Sequence, residues 1–220
     1  MLTVDHLDQI TGNGGNAARK SALVDRLARY GGPICAPPAL AQCLAQIMHE
    51  SGAMRYVHEI WGPTKAQRGY EGRLDLGNTL PGDGRRYLGR DVLQITGRSN
   101  YRALTAWVRE EFGNGPDFEA VPDLLESPNW LGIGAIWYLR TRPGLLTYAA
   151  AGNIEMVTRR INGGLNGYAD RLDWYRRCAL VLLGYSRDEV SRFQRDHGLT
   201  ADGICGPATR AALHHELNDI

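Results

Sequence analysis

Lysine is almost missing from this sequence: Lys20 and Lys65 are the only two among 25 basic residues, and arginine supplies the rest. Arginine presents planar donors that suit carboxylates and acetamido-rich sugars. The basic residues are balanced by 24 acidic ones, for a net charge of +1. No global field therefore selects nucleic acid or an anionic membrane surface. No apolar run is long enough for a membrane span, which excludes membrane insertion. The opening MLTVDHLDQITGNGG lacks a basic region followed by an apolar stretch, so no Sec-type signal peptide is expected and synthesis is expected in the cytoplasm. Four cysteines, Cys35, Cys43, Cys178 and Cys205, lack Cys-x-x-Cys spacing and are expected to be reduced. A zinc-protease helix is also missing: His49-Glu50 starts like His-Glu-x-x-His, but position 53 is Ala53. No metal and no cofactor are implied.

What is present is enough chain for one full domain with a small appendage: 220 residues, 43% hydrophobic and 22% charged. The organising stretch is Pro37 to Gly52, PPALAQCLAQIMHESG. Pro37-Pro38 suits a helix start, where a missing N–H costs nothing. Leu40, Cys43, Leu44 and Ile47 recur at helical spacing and mark a core-facing stripe. Glu50 follows Ile47 by three residues and so points along that stripe. Burial and the negative end of the helix dipole both disfavour a charged carboxyl there. The expectation is a protonated Glu50 near neutral pH, suited to general acid work. A solvated Glu at a fraying helix end is the competing reading.

Further helices are expected over 16–30, 99–112, 130–139, 145–151, 153–161 and 168–183, by apolar periodicity and Gly or Pro stops. From Ala53 to Gly89 periodicity disappears and glycine and proline crowd in; a loop this long inside a compact domain is usually functional. Tyr87 to Thr96, YLGRDVLQIT, reads as a short strand, with Gln94 and Thr96 on one face. Residues 186–220 form a short helical extension around GLTADGICGP, too short for a core of its own and expected to lean on the main domain.

Four separated segments then carry a resemblance. His49–Ser51, Tyr70–Tyr87 (YEGRLDLGNTLPGDGRRY), Leu93–Tyr101 (LQITGRSNY) and Ile161–Arg177 (INGGLNGYADRLDWYRR) together resemble glycoside hydrolase family 19, in its phage-endolysin and bacterial branch. The resemblance covers roughly residues 1–184. It implies a mainly α, lysozyme-like domain with one small β element and a deep cleft. The implied reaction is hydrolysis of β-1,4 links between N-acetylated sugars. It assigns Glu50 as general acid and Glu59 as general base. Gln94, Thr96 and Asn100 would hold the water and the substrate acetamido group, and Asn162 and Arg171 would line the cleft and orient the carboxylates. Tyr101, with Trp61, Tyr70 and Tyr87, could stack on sugar rings or belong to the core. The chain departs from the family's usual Gly-Arg-Gly at Gly89-Arg90-Asp91, where Asp91 adds a charge and a Cβ.

Residues 186–220 resemble the second half of a peptidoglycan-binding module, through Phe193-Gln194, Gly198-Leu199, Asp202-Gly203 and the Gly206-to-Thr209 signature. The implied partner is the peptidoglycan glycan strand, met by a monomer made in the host bacterial cytoplasm and released to the cell wall or periplasm by a holin. Alternatives stay open: a chitinase, a lytic transglycosylase using a single Glu, or a wall-binding protein without activity. Glu71 rivals Glu59 as base.

Overall fold

A computed structural model describes all residues, Met1–Ile220. Twelve α-helices follow one another: α1 (Val4–Thr11), α2 (Ala17–Tyr30), α3 (Pro37–Glu50), α4 (Lys65–Arg68), α5 (Asp83–Arg86), α6 (Arg98–Phe112), α7 (Ile133–Thr141), α8 (Leu145–Ala150), α9 (Ile154–Asn162), α10 (Tyr168–Leu182), α11 (Val190–Asp196) and α12 (Pro207–Asn218). No helix is long and apolar enough to cross a membrane.

The centre is α3. Two prolines open it, and every residue from Pro38 to Met48 is buried, so it is a helix enclosed on all sides rather than one with a wet face. Its broadest packing partner is α10; α8, α9 and α12 close around it. Leu40, Cys43, Leu44 and Ile47 join Cys178, Leu180 and Val181 of α10 in the main apolar core. A second, smaller core gathers Tyr87, Ile95, Tyr101, Leu104, Phe118, Ile133 and Trp137.

The 87–96 segment is not a strand. It makes only isolated antiparallel bridges, His58 to Arg90 and Arg90 to Ile95. Asp91 and Gln94 take left-handed backbone angles, φ +69° and +53°, which turn the chain twice and break the alternation expected for Gln94 and Thr96. Helix α6 starts one residue earlier than its expected Ser99 cap, behind Gly97.

The extension is built into the main core. Val190 and Phe193 of α11 and Leu213 and Leu217 of α12 belong to the same apolar cluster as α3 and α10. Phe193 stacks edge-on against Tyr185 at 5.5 Å. Gln194, almost fully buried, is the hub of the turn: its Nε2 donates to Asp202 Oδ1 (2.8 Å), Thr209 Oγ1 (3.0 Å) and the Ile204 carbonyl (3.1 Å), and its Oε1 accepts from Gly203 N (2.9 Å). This corrects the reading of Phe193, Gln194 and Thr209 as wall-contacting residues: they are buried and face inward. Asp202 and Gly203 stand exposed in the turn that Gln194 organises.

Phe193→Ala should therefore cost about 3–5 kcal/mol, the scale for truncating a buried aromatic. For a chain of this size that is a fall in Tm of about 10 °C. Thermal unfolding followed by circular dichroism checks it, and the wild-type chain should unfold in one transition. Two transitions, with the variant affecting only one of them, would mean that the extension folds independently.

Candidate active site

Helix α3 delivers Glu50 and is closed by the next residue. Ser51 Oγ donates to the Ile47 carbonyl (2.7 Å) and accepts from Met54 N (2.9 Å). Gly52, Ala53 and Met54 then follow in left-handed conformation, φ +55°, +60° and +67°. For the two residues with side chains this costs about 1–3 kcal/mol each, a form of strain concentrated at functional sites. It is held by packing: Met54 is fully buried, and Arg19 donates to the Met54 carbonyl at 3.3 Å. Gly15 must be glycine here, since a Cβ would sit 2.2 Å from the Ala53 carbonyl oxygen.

Glu50 does not meet the apolar surroundings expected of it. Arg171, 2% exposed, reaches from α10 and donates Nη2 to Glu50 Oε1 at 2.5 Å. Its Nη1 donates to Gln46 Oε1 at 2.5 Å, and Gln46 Nε2 donates to Thr158 Oγ1 at 3.2 Å. Its Nε donates to the Asn166 carbonyl at 3.3 Å, which Asn162 Nδ2 also reaches at 2.9 Å. Arg171 is thus a buried link and not a surface salt bridge. Asn162 acts one step away, tying the 162–166 turn that supports Arg171. Beside this, His49 Nδ1 lies 2.6 Å from Asp170 Oδ2, its ring packed over Gly167, where a Cβ would meet His49 Cε1 at 2.3 Å.

Glu59 stands in the loop after α3. Its Oε2 accepts from Gly89 N (3.0 Å), and its Oε1 from Gln67 Nε2 (3.0 Å) and the Tyr70 hydroxyl (3.2 Å). Its own N–H donates to the Gly89 carbonyl (2.8 Å). Gly89 faces Gln94 and Thr96: a Cβ there would lie 2.6 Å from Gln94 Oε1 and 3.2 Å from Thr96 Oγ1. Glu59, Gly89, Gln94 and Thr96 therefore share one location, and Asn100 Nδ2 braces it through the Thr96 carbonyl at 2.7 Å. Trp61 and Tyr70, half-buried with ring centroids 6.5 Å apart, flank Glu59. Glu71 is differently placed. Its two oxygens clamp Gly82 N (2.6 Å) and Gly84 N (2.9 Å), fixing the turn before α5.

Tyr101 requires correction. It is fully buried in the smaller core, donating to the Leu88 carbonyl (2.8 Å) and accepting from Arg90 Nη1 (3.2 Å), and so touches no sugar. Tyr87 is buried likewise. The residues that sequence reasoning missed are Gln46, Thr158 and Gln67. Gln46 stands one turn before Glu50, an amide in an apolar helix. Gln67 follows Thr64 by three residues, the spacing of a capping box, which forms at α4. Both signals were present in the sequence.

This mainly helical fold is shared with chitinases of family 19. A bacterial family 19 chitinase superposes with TM-score 0.66 at 23% identity, over 82% of this chain and 94% of that one. Chitinase C of Streptomyces griseus gives 0.66 at 21%, over 84% and 93%. A class IV chitinase of Zea mays gives 0.58 at 20%, over 82% and 92%. A Haemophilus influenzae protein described as glycosyl hydrolase family 19 domain-containing is 39% identical over 111 residues, half of this chain and half of that protein. The chain is thus similar to that protein over the aligned stretch and spans about half of its length. Residues 184–213 match the family described as "Putative peptidoglycan binding domain".

The departure at Asp91 has a structural role. Its carboxylate reaches the start of α7, accepting from Gly132 N (2.6 Å) and Ala135 N (2.8 Å), a capping anion supplied from a distant loop. The side chain is fully buried, and burial pushes its pKa up from 3.8 to about 6, against the pull of the N–H donors. The native state thus keeps a proton that the unfolded chain has lost. The associated stability is complete below about pH 4 and declines as pH rises through 6. Denaturant titrations of wild type and Asp91→Asn from pH 4 to 7 check this. The wild type should lose ground to the variant as pH rises, by on the order of 3 kcal/mol, whereas a constant difference would place the charge on Asp91 throughout.

Proposed function

We propose that this chain hydrolyses β-1,4 glycosidic bonds between N-acetylated sugars of peptidoglycan, in the manner of an endolysin, by single-step inversion. Glu50 protonates the leaving oxygen and Glu59 activates the water. The observation that carries this reading is the unequal treatment of the two carboxylates. Arg171 holds Glu50 by Oε1 and leaves Oε2 without a protein partner, free to face a substrate. Glu59 is aimed by three donors at the place where Gln94 and Thr96 converge. Inversion needs two carboxyl groups on opposite sides of the bond with room for a water between them.

The chemistry then runs on residues already placed. The sugar chain lies between the end of α3 and the 88–96 segment. Arg171 fixes the rotamer of Glu50, and proton transfer from Glu50 lets the glycosidic oxygen leave. Glu59 takes a proton from water as it attacks the anomeric carbon from the other face. The peptidoglycan-binding resemblance of residues 184–213 supports wall over chitin as substrate. Chitin oligomers are the second reading, favoured by the family 19 chitinases that share the fold.

Product analysis on purified peptidoglycan and chitin oligomers in parallel tests the substrate. Plain reducing ends from peptidoglycan are expected, and anhydro-muramyl ends would mean a lytic transglycosylase. Glu50→Gln should keep the fold and lose lysis. Glu59→Gln should bind substrate and turn over about 10²–10⁴-fold more slowly, the usual contribution of a general base. Azide, a nucleophile that needs no base, should rescue Glu59→Gln with inverted glycosyl azide as product and should leave Glu50→Gln inactive. A near-normal rate for Glu59→Gln would remove it from the mechanism.

A further inference from the structure

Glu50 and Glu59 line none of the molecule's main concavities. One of these, about 800 Å³, lies on the other side of the Leu88–Arg90 segment, between the 80–86 turn and the 120–123 turn. Gly89 presents its N–H to Glu59, while the next residue, Arg90, sends its side chain into this basin. One short stretch of backbone is therefore a partition between the candidate active site and a second space large enough for a small ligand.

Four arginines line the basin, and they divide into two kinds. Arg90 is committed to Asp123 (2.7 Å) and Glu126 (2.8 Å), and Arg98 to Asp83 through two bonds (2.9 and 2.6 Å). Arg85 and Arg86 have no carboxylate partner; Arg86 donates Nη2 to the Ala120 carbonyl (2.7 Å), and both side chains are exposed. The paired arginines build the wall, and the unpaired two leave it cationic with forked donors that suit carboxylates. The rim is apolar: Leu80 is 54% and Val121 50% exposed, beside Pro81 and Pro122. Cationic donors with apolar lips fit a short peptide that carries free carboxylates and small side chains.

We propose that this basin binds the peptide stems of peptidoglycan, alongside a glycan strand engaged at Glu50 and Glu59. The proposal rests on the reading of the substrate as peptidoglycan. In that polymer the stems carry carboxylates and alanine methyl groups and hang from alternate sugars, so a strand in the active site brings a stem to the far side of Leu88–Arg90. Chitin has no such group. Arg85 and Arg86 would then discriminate between the two polymers without taking part in bond cleavage.

Two measurements test this, using the full chain and the double variant Arg85→Gln/Arg86→Gln. The first is an NMR titration with the free stem tripeptide, L-Ala-γ-D-Glu-diaminopimelate, following the arginine Nε–H signals. Saturable shifts at Arg85 and Arg86 are expected, with no binding in the variant. A wild type that shows no shifts overturns the proposal, whatever the enzyme cleaves. The second compares KM on intact peptidoglycan and on the same glycan stripped of stems by an amidase. The variant should raise KM about five- to tenfold on intact wall, the scale of two exposed charge-assisted contacts. It should leave kcat, and KM on stripped glycan, within twofold. Equal effects on both substrates, or none on either, overturn it. A variant that loses only binding to anionic vesicles would point to a lipid surface instead and overturns it too. If wild type cleaves neither glycan, the hydrolase reading fails, and the titration still decides what the basin holds.

Discussion

A guanidinium buried between two helices holds the candidate catalytic apparatus together. Arg171 is 2% exposed, and its charge would be costly there without partners. It finds them in Glu50, Gln46 and the Asn166 carbonyl, which lie on α3 and in the turn before α10. The α3–α10 packing thus carries a polar seam through an apolar core, and the seam ends at Glu50, the candidate general acid. The turn around Asn162, the Thr158 hydroxyl on α9 and the Gln46 amide all serve to satisfy this single cation. Gln42 lies one turn further along α3, fully buried with both ends of its amide lacking a protein partner. An internal water is the ordinary way to complete such a seam.

On the opposite side of the site, precision comes from backbone rather than charge. Glu59 is tied to Gly89 by bonds in both directions, and the two polar side chains facing Gly89 hang from a segment turned by left-handed residues. Such conformations persist only where surroundings over-determine them. Here Asp91 does so, by bonding across to α7, and Tyr101 and Arg90 support the same loop from beneath. The proposed inversion, with a water held between two carboxylates, needs both sides fixed. One is fixed by a buried ion pair, the other by strained but anchored turns.

Much of this was legible in the sequence, for reasons that separate cleanly. Helix periodicity reports burial, so α3, α6, α8, α9 and α10 could be read to within a residue or two. The motif segments contain Glu50, Gln94, Thr96 and Arg171, whereas Glu59 lies outside them and rests on the family resemblance alone. What could not be read was the direction in which a side chain points when the backbone leaves regular geometry. Alternation is the simplest account of LQIT and puts Gln94 and Thr96 on a strand, and one left-handed residue voids it. Tyr101 lies on an amphipathic helix, where aromatic core and aromatic platform have the same spacing. The Phe193-Gln194 signature marks what a module requires, and a buried hub is required as strictly as a binding residue, so the pattern alone does not separate the two. Burial of an ion pair across more than a hundred residues, as for Glu50 and Arg171, leaves no local trace.

The shared core of α11 and α12 with α3 and α10 also bears on how such a molecule would move over a surface. A module joined through a flexible linker lets an enzyme swing through a sphere and sample many bonds from one point of attachment. No such linker separates these parts: Leu182 ends α10 and Val190 opens α11. Whatever residues 184–213 grip, the distance and heading from grip to Glu50 are those of one solid object. If it cuts glycan as proposed, such a protein works as a caliper, with its reach built in, and each new cut requires the whole body to let go and be set down again.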